Sequence, residues 1–332
     1  MKQKVLITGA SGFVGGFLVE EALNRGLDVF AAIRKTSNKQ YLTDPRIKFI
    51  FLDFEDVEKL TSQLSILNFD FFIHNAGITK TPRKEEYFKV NADYLKNILE
   101  ACNALKHPLK KLTFISSLAA YGPAEYTSDG IVTESSKPHP VTNYGRSKLK
   151  GEEYLKSQDV IPFVIIRPTA VYGPREKDLF AVYQLLNNRL DISVGLEDQK
   201  LTFIYVKDLV RVILDSTLAH KKNVAYFATD LKVHSSSSYN KAILKALGNK
   251  LAFKIKLPIT VVKVLGYASE KIGGYFGNYP ALNADKVNEL EANSWVCDTT
   301  ALENDLKYQP EYNLEKGLDE SIQWYKENNW LK

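Results

Sequence analysis

Between Val5 and Gly16 the chain reads Val5-Leu6-Ile7-Thr8-Gly9-Ala10-Ser11-Gly12-Phe13-Val14-Gly15-Gly16, an apolar run broken by glycines and resumed with helical spacing. This stretch predicts a strand, a tight turn and a helix that carries Phe17, Leu18 and Leu23 inward and Glu20 and Glu21 outward. Gly9 permits a sharp turn, Gly12 puts no side chain between backbone and a pyrophosphate, and Gly15 lets the helix lie close on its strand. The free N–H groups and dipole of such a helix start both favour an anion, which makes a dinucleotide the natural occupant. The spacing is G-x-x-G-x-x-G, and it is the strand before it and the helix after it that lend it meaning.

A chain of 332 residues with 45% hydrophobic and 25% charged side chains can bury a large core and predicts two associated domains. Lys and Arg exceed Asp and Glu by 44 to 39, a net +5 with no block of like charges, so no nucleic-acid partner is expected. Lys2 and Lys4 lead straight into the first strand and no apolar run approaches membrane-spanning length, which points to the cytoplasm and to no membrane span. Cys102 and Cys297 stand alone and the five histidines lack ligand spacing, so neither a disulfide framework nor a metal is expected. His74, in Phe71-Phe72-Ile73-His74-Asn75, reads as a satisfied strand-end histidine.

Further along, Asp28 to Ile33 predicts a second strand with Arg34 and Lys35 at its end, where an acid would bind a ribose hydroxyl and an arginine a 2′-phosphate. Arg34 therefore favours NADP over NAD, although Lys39 nearby also allows a plain basic loop. Lys48 to Phe54 predicts a third strand that places Asp53 to meet an adenine amino group and Phe54 to offer its ring face. Phe69 to Ile73 predicts a fourth, leading into Asn75-Ala76-Gly77, whose small residues let backbone pass close to a cofactor. Lys111 to Ile115 predicts a fifth. Apolar runs alternating with helical spacing predict an α/β fold with a doubly wound parallel sheet, binding at the carboxyl ends of its strands.

The fifth strand ends in Ser116-Ser117-Leu118-Ala119-Ala120-Tyr121-Gly122, and a turn-rich segment then enters a helix through Tyr144-Gly145-Arg146-Ser147-Lys148. Tyr144 and Lys148 lie four apart and share a helix face. A free phenol has a pKa of about 10, and a neighbouring ammonium favours the phenolate. A tyrosine tuned in this way exchanges a proton with a carbonyl or alcohol oxygen as hydride moves, while Ser117 holds the same oxygen.

These segments, with Arg167-Pro168-Thr169-Ala170-Val171-Tyr172-Gly173-Pro174, resemble the extended short-chain dehydrogenase/reductase family of the NAD-dependent epimerase/dehydratase superfamily. The resemblance covers the whole chain, with its specific motifs up to about Pro174. It implies a Rossmann-type domain over residues 1–174, rejoined by 201–230, and a smaller substrate domain from 175–200 and 231–332. It implies Tyr144 as acid/base, Lys148 as its tuner and ribose contact, and Ser117 as oxygen binder. The implied cofactor set is Thr8, Gly9, Ser11, Gly12, Phe13, Val14, Gly15, Arg34, Lys35, Asp53, Phe54, Asn75, Ala76, Gly77, Asn91, Tyr144, Lys148, Pro168 and Val171. Asn91 supports the site from its helix, and a homodimer is implied by resemblance alone.

Family dehydratases carry an acidic pair where this chain has Leu118 and Ala119, so dehydration is disfavoured. Ala170 stands where sugar-nucleotide enzymes commonly carry asparagine. The leading expectation is thus a reductase or dehydrogenase of a small organic substrate, similar to dihydroflavonol reductase and 3β-hydroxysteroid dehydrogenase relatives. A nucleotide-sugar epimerase recycling NAD comes next, and a non-catalytic NADP-binding scaffold last. From Pro258 on, Val261, Val264, Leu265, Ala268, Ile272, Tyr275 and Phe276 recur at helical spacing, predicting a helix that packs the smaller domain rather than a lid or a membrane-surface helix. Val224 to Ala228 predicts a last strand, and Ser235 to Ser238 a helix cap.

Overall fold

The computed structural model describes residues 2–195, 197–275, 280 and 282–331, without the side chains of 274 and 275. The first half alternates β1 (Lys4–Thr8), α1 (Phe13–Asn24), β2 (Asp28–Ala32), β3 (Lys48–Ile50), α2 (Val57–Ser65), β4 (Phe71–His74), α3 (Lys84–Phe88), α4 (Tyr94–Asn103), β5 (Lys111–Ile115), α5 (Asn143–Lys156) and β6 (Phe163–Pro168). The second half adds β7 (Ala170–Tyr172), α6 (Phe180–Asn187), β8 (Leu190–Val194), β9 (Lys200–Leu201), β10 (Phe203–Tyr205), α7 (Val206–Leu218), β11 (Val224–Ala228) and β12 (His234–Ser235). It closes with α8 (Ser236–Ala246), β13 (Phe253–Leu257), α9 (Ile259–Tyr275), α10 (Ala284–Glu291), α11 (Thr300–Leu306) and α12 (Leu314–Glu327).

Seven strands form one parallel sheet in the order β3-β2-β1-β4-β5-β6-β11. The order reverses between β1 and β4, and the crevice at that switch point is where such a sheet binds its ligand. Alternate residues of β1 serve the two faces. Val5 and Ile7 join Phe17 and Leu18 of α1 and Leu209 and Ile213 of α7, while Leu6 joins Leu60 of α2, Leu95 and Ile98 of α4 and Leu155 of α5. The expected last strand is β11, at the sheet edge beside β6. A separate aromatic core, with Tyr172, Tyr183, Phe203, Tyr205, Tyr239 and Tyr325, joins β7, α6, β10, α8 and α12.

Three expectations need adjustment. The third strand stops at Ile50 instead of Phe54 because it is an edge strand, and Asp53 and Asp56 accept from the backbone N–H groups of Glu55 and Lys59, drawing the chain off the sheet. The fourth strand begins at Phe71 and includes His74. The helix expected after Pro258 forms as α9, but only one side of it packs. Val262 and Gly266 face α10, where a Cβ on Gly266 would come within 2.4 Å of Val287 Cγ2, while Val261, Val264, Leu265, Ala268 and Ile272 are exposed. The Tyr275 side chain and Phe276, expected in the same stripe, lie outside the described residues. Ser235 caps α8, exchanging hydrogen bonds with Ser238.

Candidate active site

The turn after β1 is set by contact. Gly9 has φ +66°, and a Cβ on Gly15 would sit 2.0 Å from the Gly9 carbonyl oxygen, so α1 starts directly over the end of β1. Gly12 is the N-cap of α1 and offers no side-chain acceptor, and the first turn holds no acidic residue, so N–H groups at this helix start are left for an outside anion. Ser11 and Gly12 are exposed there, Phe13 and Val14 half-buried. The site fits the pyrophosphate of a dinucleotide.

Around this turn the expected cofactor residues divide into two kinds. Some are committed to the protein. Thr8 is buried, its hydroxyl bonded to His74 Nδ1 at 2.9 Å and accepting from the Ala76 N–H at 3.1 Å, which ties β1 to the loop after β4. Burial holds His74 neutral, its pKa pushed down to about 3 with a smaller contribution from Lys148. Asn75 donates to the Gly9 carbonyl at 3.3 Å. Asn91, on a π-helical turn over Lys89–Asp93, donates to the Ile78 carbonyl and Ser147 Oγ and accepts from the Ile78 N–H. It thereby joins the loop after Gly77 to α5. Asp53 bonds Lys59 Nζ at 2.7 Å, which lowers its pKa, and Phe54 stacks on Tyr94 at 5.6 Å. Others remain open. Arg34 and Lys35 are exposed past the end of β2, and Val171 in β7 is half-buried beyond Pro168, which ends β6.

Ser117, Tyr144 and Lys148 come together at the carboxyl end of β5. Thr142 caps α5, accepting from the Gly145 N–H at 2.9 Å, and Gly145 lets α5 approach the Ser117 turn, since a Cβ there would lie 2.2 Å from the Ala119 carbonyl oxygen. The Ser117 hydroxyl accepts from the Ala119 N–H at 3.1 Å and lies within reach of the Tyr144 phenol, whose proton loss it favours. Burial pushes that phenol up to about 12; Ser117 opposes the rise, and the carboxylates of Glu289 and Asp178 add to it. The Lys148 ammonium donates to the Ile115 carbonyl at 2.8 Å, lies 5.0 Å from the Phe114 ring centroid and rests against the Gly77 backbone. Burial holds it down to about 8, with Glu152 pulling upward. The expected ammonium-tuned phenol is therefore not the arrangement found. The lysine is engaged one turn away, and desolvation governs the tyrosine.

Two groups of residues escaped the sequence reading. Arg167 reaches Glu152 through Nε at 2.8 Å and Nη2 at 2.6 Å, also pairs with Glu134, and lies between the Tyr121 and Phe227 rings. Ser116 donates to Glu152 at 2.6 Å, so the cluster clamps α5 to β5 and β6 behind the site. Its signal was an arginine inside an apolar strand and a glutamate on the buried face of a helix. The second group is α10, where Asp285 accepts from the Asn143 N–H at 2.9 Å and the Glu289 carboxylate adds to the rise in the Tyr144 pKa. Only tertiary contact brings α10 there, and no local pattern announces it.

The model of the NAD dependent epimerase/dehydratase family matches residues 5–225. A putative UDP-glucose 4-epimerase of Methanocaldococcus jannaschii is 25% identical, the alignment covering 98% of this chain and 99% of that protein. A ceramide reductase of Caulobacter vibrioides is 22% identical over 98% of this chain and 96% of its own. Among solved structures, UDP-glucuronic acid 4-epimerase from Bacillus cereus in complex with NAD superposes with a TM-score of 0.75 at 24% identity, covering 98% and 99% of the two chains.

Proposed function

Since this chain belongs to the NAD-dependent epimerase/dehydratase family and is an NAD(P)-dependent enzyme, we propose that it interconverts a carbonyl and a secondary alcohol on a small organic substrate. The observation that carries this reading is the meeting of Ser117 and Tyr144 beside Lys148. A dinucleotide bound over the Gly9 to Gly15 turn supplies or accepts the hydride. Lys148 is assigned to its ribose, a reading supported by its position against Gly77, and the N-terminal N–H groups of α1 to its pyrophosphate.

The Tyr144 phenol, held protonated at neutral pH, is suited to give its proton to a carbonyl oxygen, and the reverse transfer serves alcohol oxidation. Ser117 holds that oxygen by a hydrogen bond. Leu118 and Ala119 offer no carboxylate for elimination at a neighbouring carbon. Residues 175–200 and 231–332 are proposed to face the substrate. For the cofactor, Arg34 past β2 supports NADP(H) over NAD(H). Titrating both against wild type and Arg34→Ala tests this: the variant loses the NADP(H) advantage, and equal wild-type affinities overturn it.

Tyr144→Phe is expected to lower kcat by about a hundredfold to ten-thousandfold with dinucleotide affinity kept. Undiminished turnover overturns the reading. A second reading, nucleotide-sugar epimerisation, is favoured by the similarity to the Methanocaldococcus relative. It requires oxidation and re-reduction at one carbon, so the purified protein would carry dinucleotide that is released only on denaturation and would turn over without any added.

A further inference from the structure

We propose that α9 and the ribbon before it form a docking face for an anionic phospholipid bilayer. On α9, Val261, Val264, Leu265, Ala268 and Ile272 follow i, i+3, i+4, i+7 and i+11 and so share one side of the helix. That side is open: Val264 is 68% exposed, Ile272 61% and Leu265 49%. A core-facing helix hides this stripe. Here the side turned to α10 is the other one, through Val262, Gly266 and Ser269, with Lys263 paired to Glu291 and Glu270 accepting from the Ala284 N–H. Pro258 alone separates α9 from β13, which among the described residues pairs with β8, and along which Phe253 (74% exposed) and Ile255 alternate with Lys254 and Lys256, one face apolar and the other cationic.

Charge selects the occupant. Within residues 250–272, Lys263 is paired to Glu291 and Lys250 bonds Asn187, which leaves Lys254, Lys256 and Lys271 as the cations turned to solvent. A second copy pressed on the same face would set these lysines against their own equivalents, which like-charge repulsion disfavours. An anionic bilayer satisfies both features, taking apolar side chains into its interfacial layer and lysines against its headgroups. The opposite side of α9 rests on α10. This inference stands apart from the reaction proposed above.

Co-sedimentation with vesicles tests it, comparing phosphatidylcholine alone with phosphatidylcholine containing about one third phosphatidylglycerol. Wild type is expected to pellet with the anionic vesicles, to stay in solution with the neutral ones, and to be released by salt. Reversing Lys254, Lys256 and Lys271 to Glu should weaken binding by about a hundredfold or more, and Val264→Asp with Leu265→Asp should abolish it. Dinucleotide binding, remote from these positions, checks that each variant is folded. Wild type remaining in solution with anionic vesicles overturns the proposal without recourse to any variant. So does equal binding to both vesicle types, or sedimentation velocity showing a dimer that Val264→Asp with Leu265→Asp splits, which would assign the face to a second copy.

Discussion

Helices α5 and α9 invert the usual rule in opposite ways. Helix α5 buries Ser147, Lys148 and Glu152, all polar, whereas α9 exposes Val261, Val264, Leu265 and Ile272, all apolar. The difference lies in partners. Each buried polar group of α5 is matched: Ser147 donates to the Tyr144 carbonyl and accepts from Asn91, Lys148 donates to Ile115, and Glu152 meets Arg167 and Ser116. A matched polar group can be buried at little net cost; an unmatched one cannot. Among the described residues α9 packs on α10, and the apolar stripe is on the side that α10 does not cover. Residue type thus states what a surface needs, and only the surrounding elements decide whether the need is met.

The sharpest way to break this comparison is to unmatch α5. Glu152→Leu leaves the buried Arg167 guanidinium, among the described residues, with Glu134 as its remaining carboxylate partner and takes the acceptor from Ser116. The expected loss is about 3–5 kcal/mol of unfolding free energy by denaturant titration. Replacing Glu152 and Arg167 together by apolar residues should restore much of it, because both charges then disappear. A change below about 1 kcal/mol for Glu152→Leu alone would show that the cluster is not what holds α5. Gly145→Ala comes next. Its Cβ would meet the Ala119 carbonyl at 2.2 Å and must push α5 from the Ser117 turn, at a cost of about 1–3 kcal/mol. Because Ser117 and Tyr144 separate, kcat should fall more than dinucleotide affinity does.

What was legible in the sequence follows the same division. The glycine turn and the order of strands and helices through Pro168 are written in short local patterns whose backbone consequences are fixed within a few residues, as with Gly9 and Gly15. Lys148 shows where local reading stops. Four residues from Tyr144 it shares a face, but its ammonium goes to the Ile115 carbonyl across the sheet. Asp53 and Phe54, expected at the end of the third strand, lie three and four residues past it, and Lys59 and Tyr94 engage them. Asp285 and Glu289 were invisible because nearly half the chain separates them from the helix they meet. The α9 periodicity was legible too; what it could not convey was that α10 takes the other side of the helix.

Proton linkage sharpens the α5 side further. The Lys148 pKa is depressed to about 8 in the folded chain from an ordinary 10.5, so between those values the unfolded chain binds more protons. Stability therefore rises with pH across that window through this group, and the charged form is disfavoured by folding below it. Lys111, donating to the Ser216 and Ala219 carbonyls, is depressed to the same value by burial and adds the same sign. Lys148→Met should flatten the rise in unfolding free energy between about pH 8 and 10, leaving the part due to Lys111. An unchanged slope would mean that the lysine is solvated in the native state.

The smallest effect is expected where the sequence looks most apolar. Val264→Ser with Ile272→Ser removes two large aliphatic side chains, and in a core each such loss would cost about 2–5 kcal/mol. On α9 both side chains already face outward, so no cavity opens and little apolar area returns to water. Serine is a slightly poorer helix former than alanine but close to valine and isoleucine, so the helix itself is nearly indifferent. Unfolding free energy should stay within about 0.5 kcal/mol of wild type. A loss of several kcal/mol would mean that the stripe is buried in solution by another part of this chain or a second copy, and the contrast with α5 would vanish. A null result, set beside the cost of a single carboxylate in α5, would make burial a matter of partners and not of polarity.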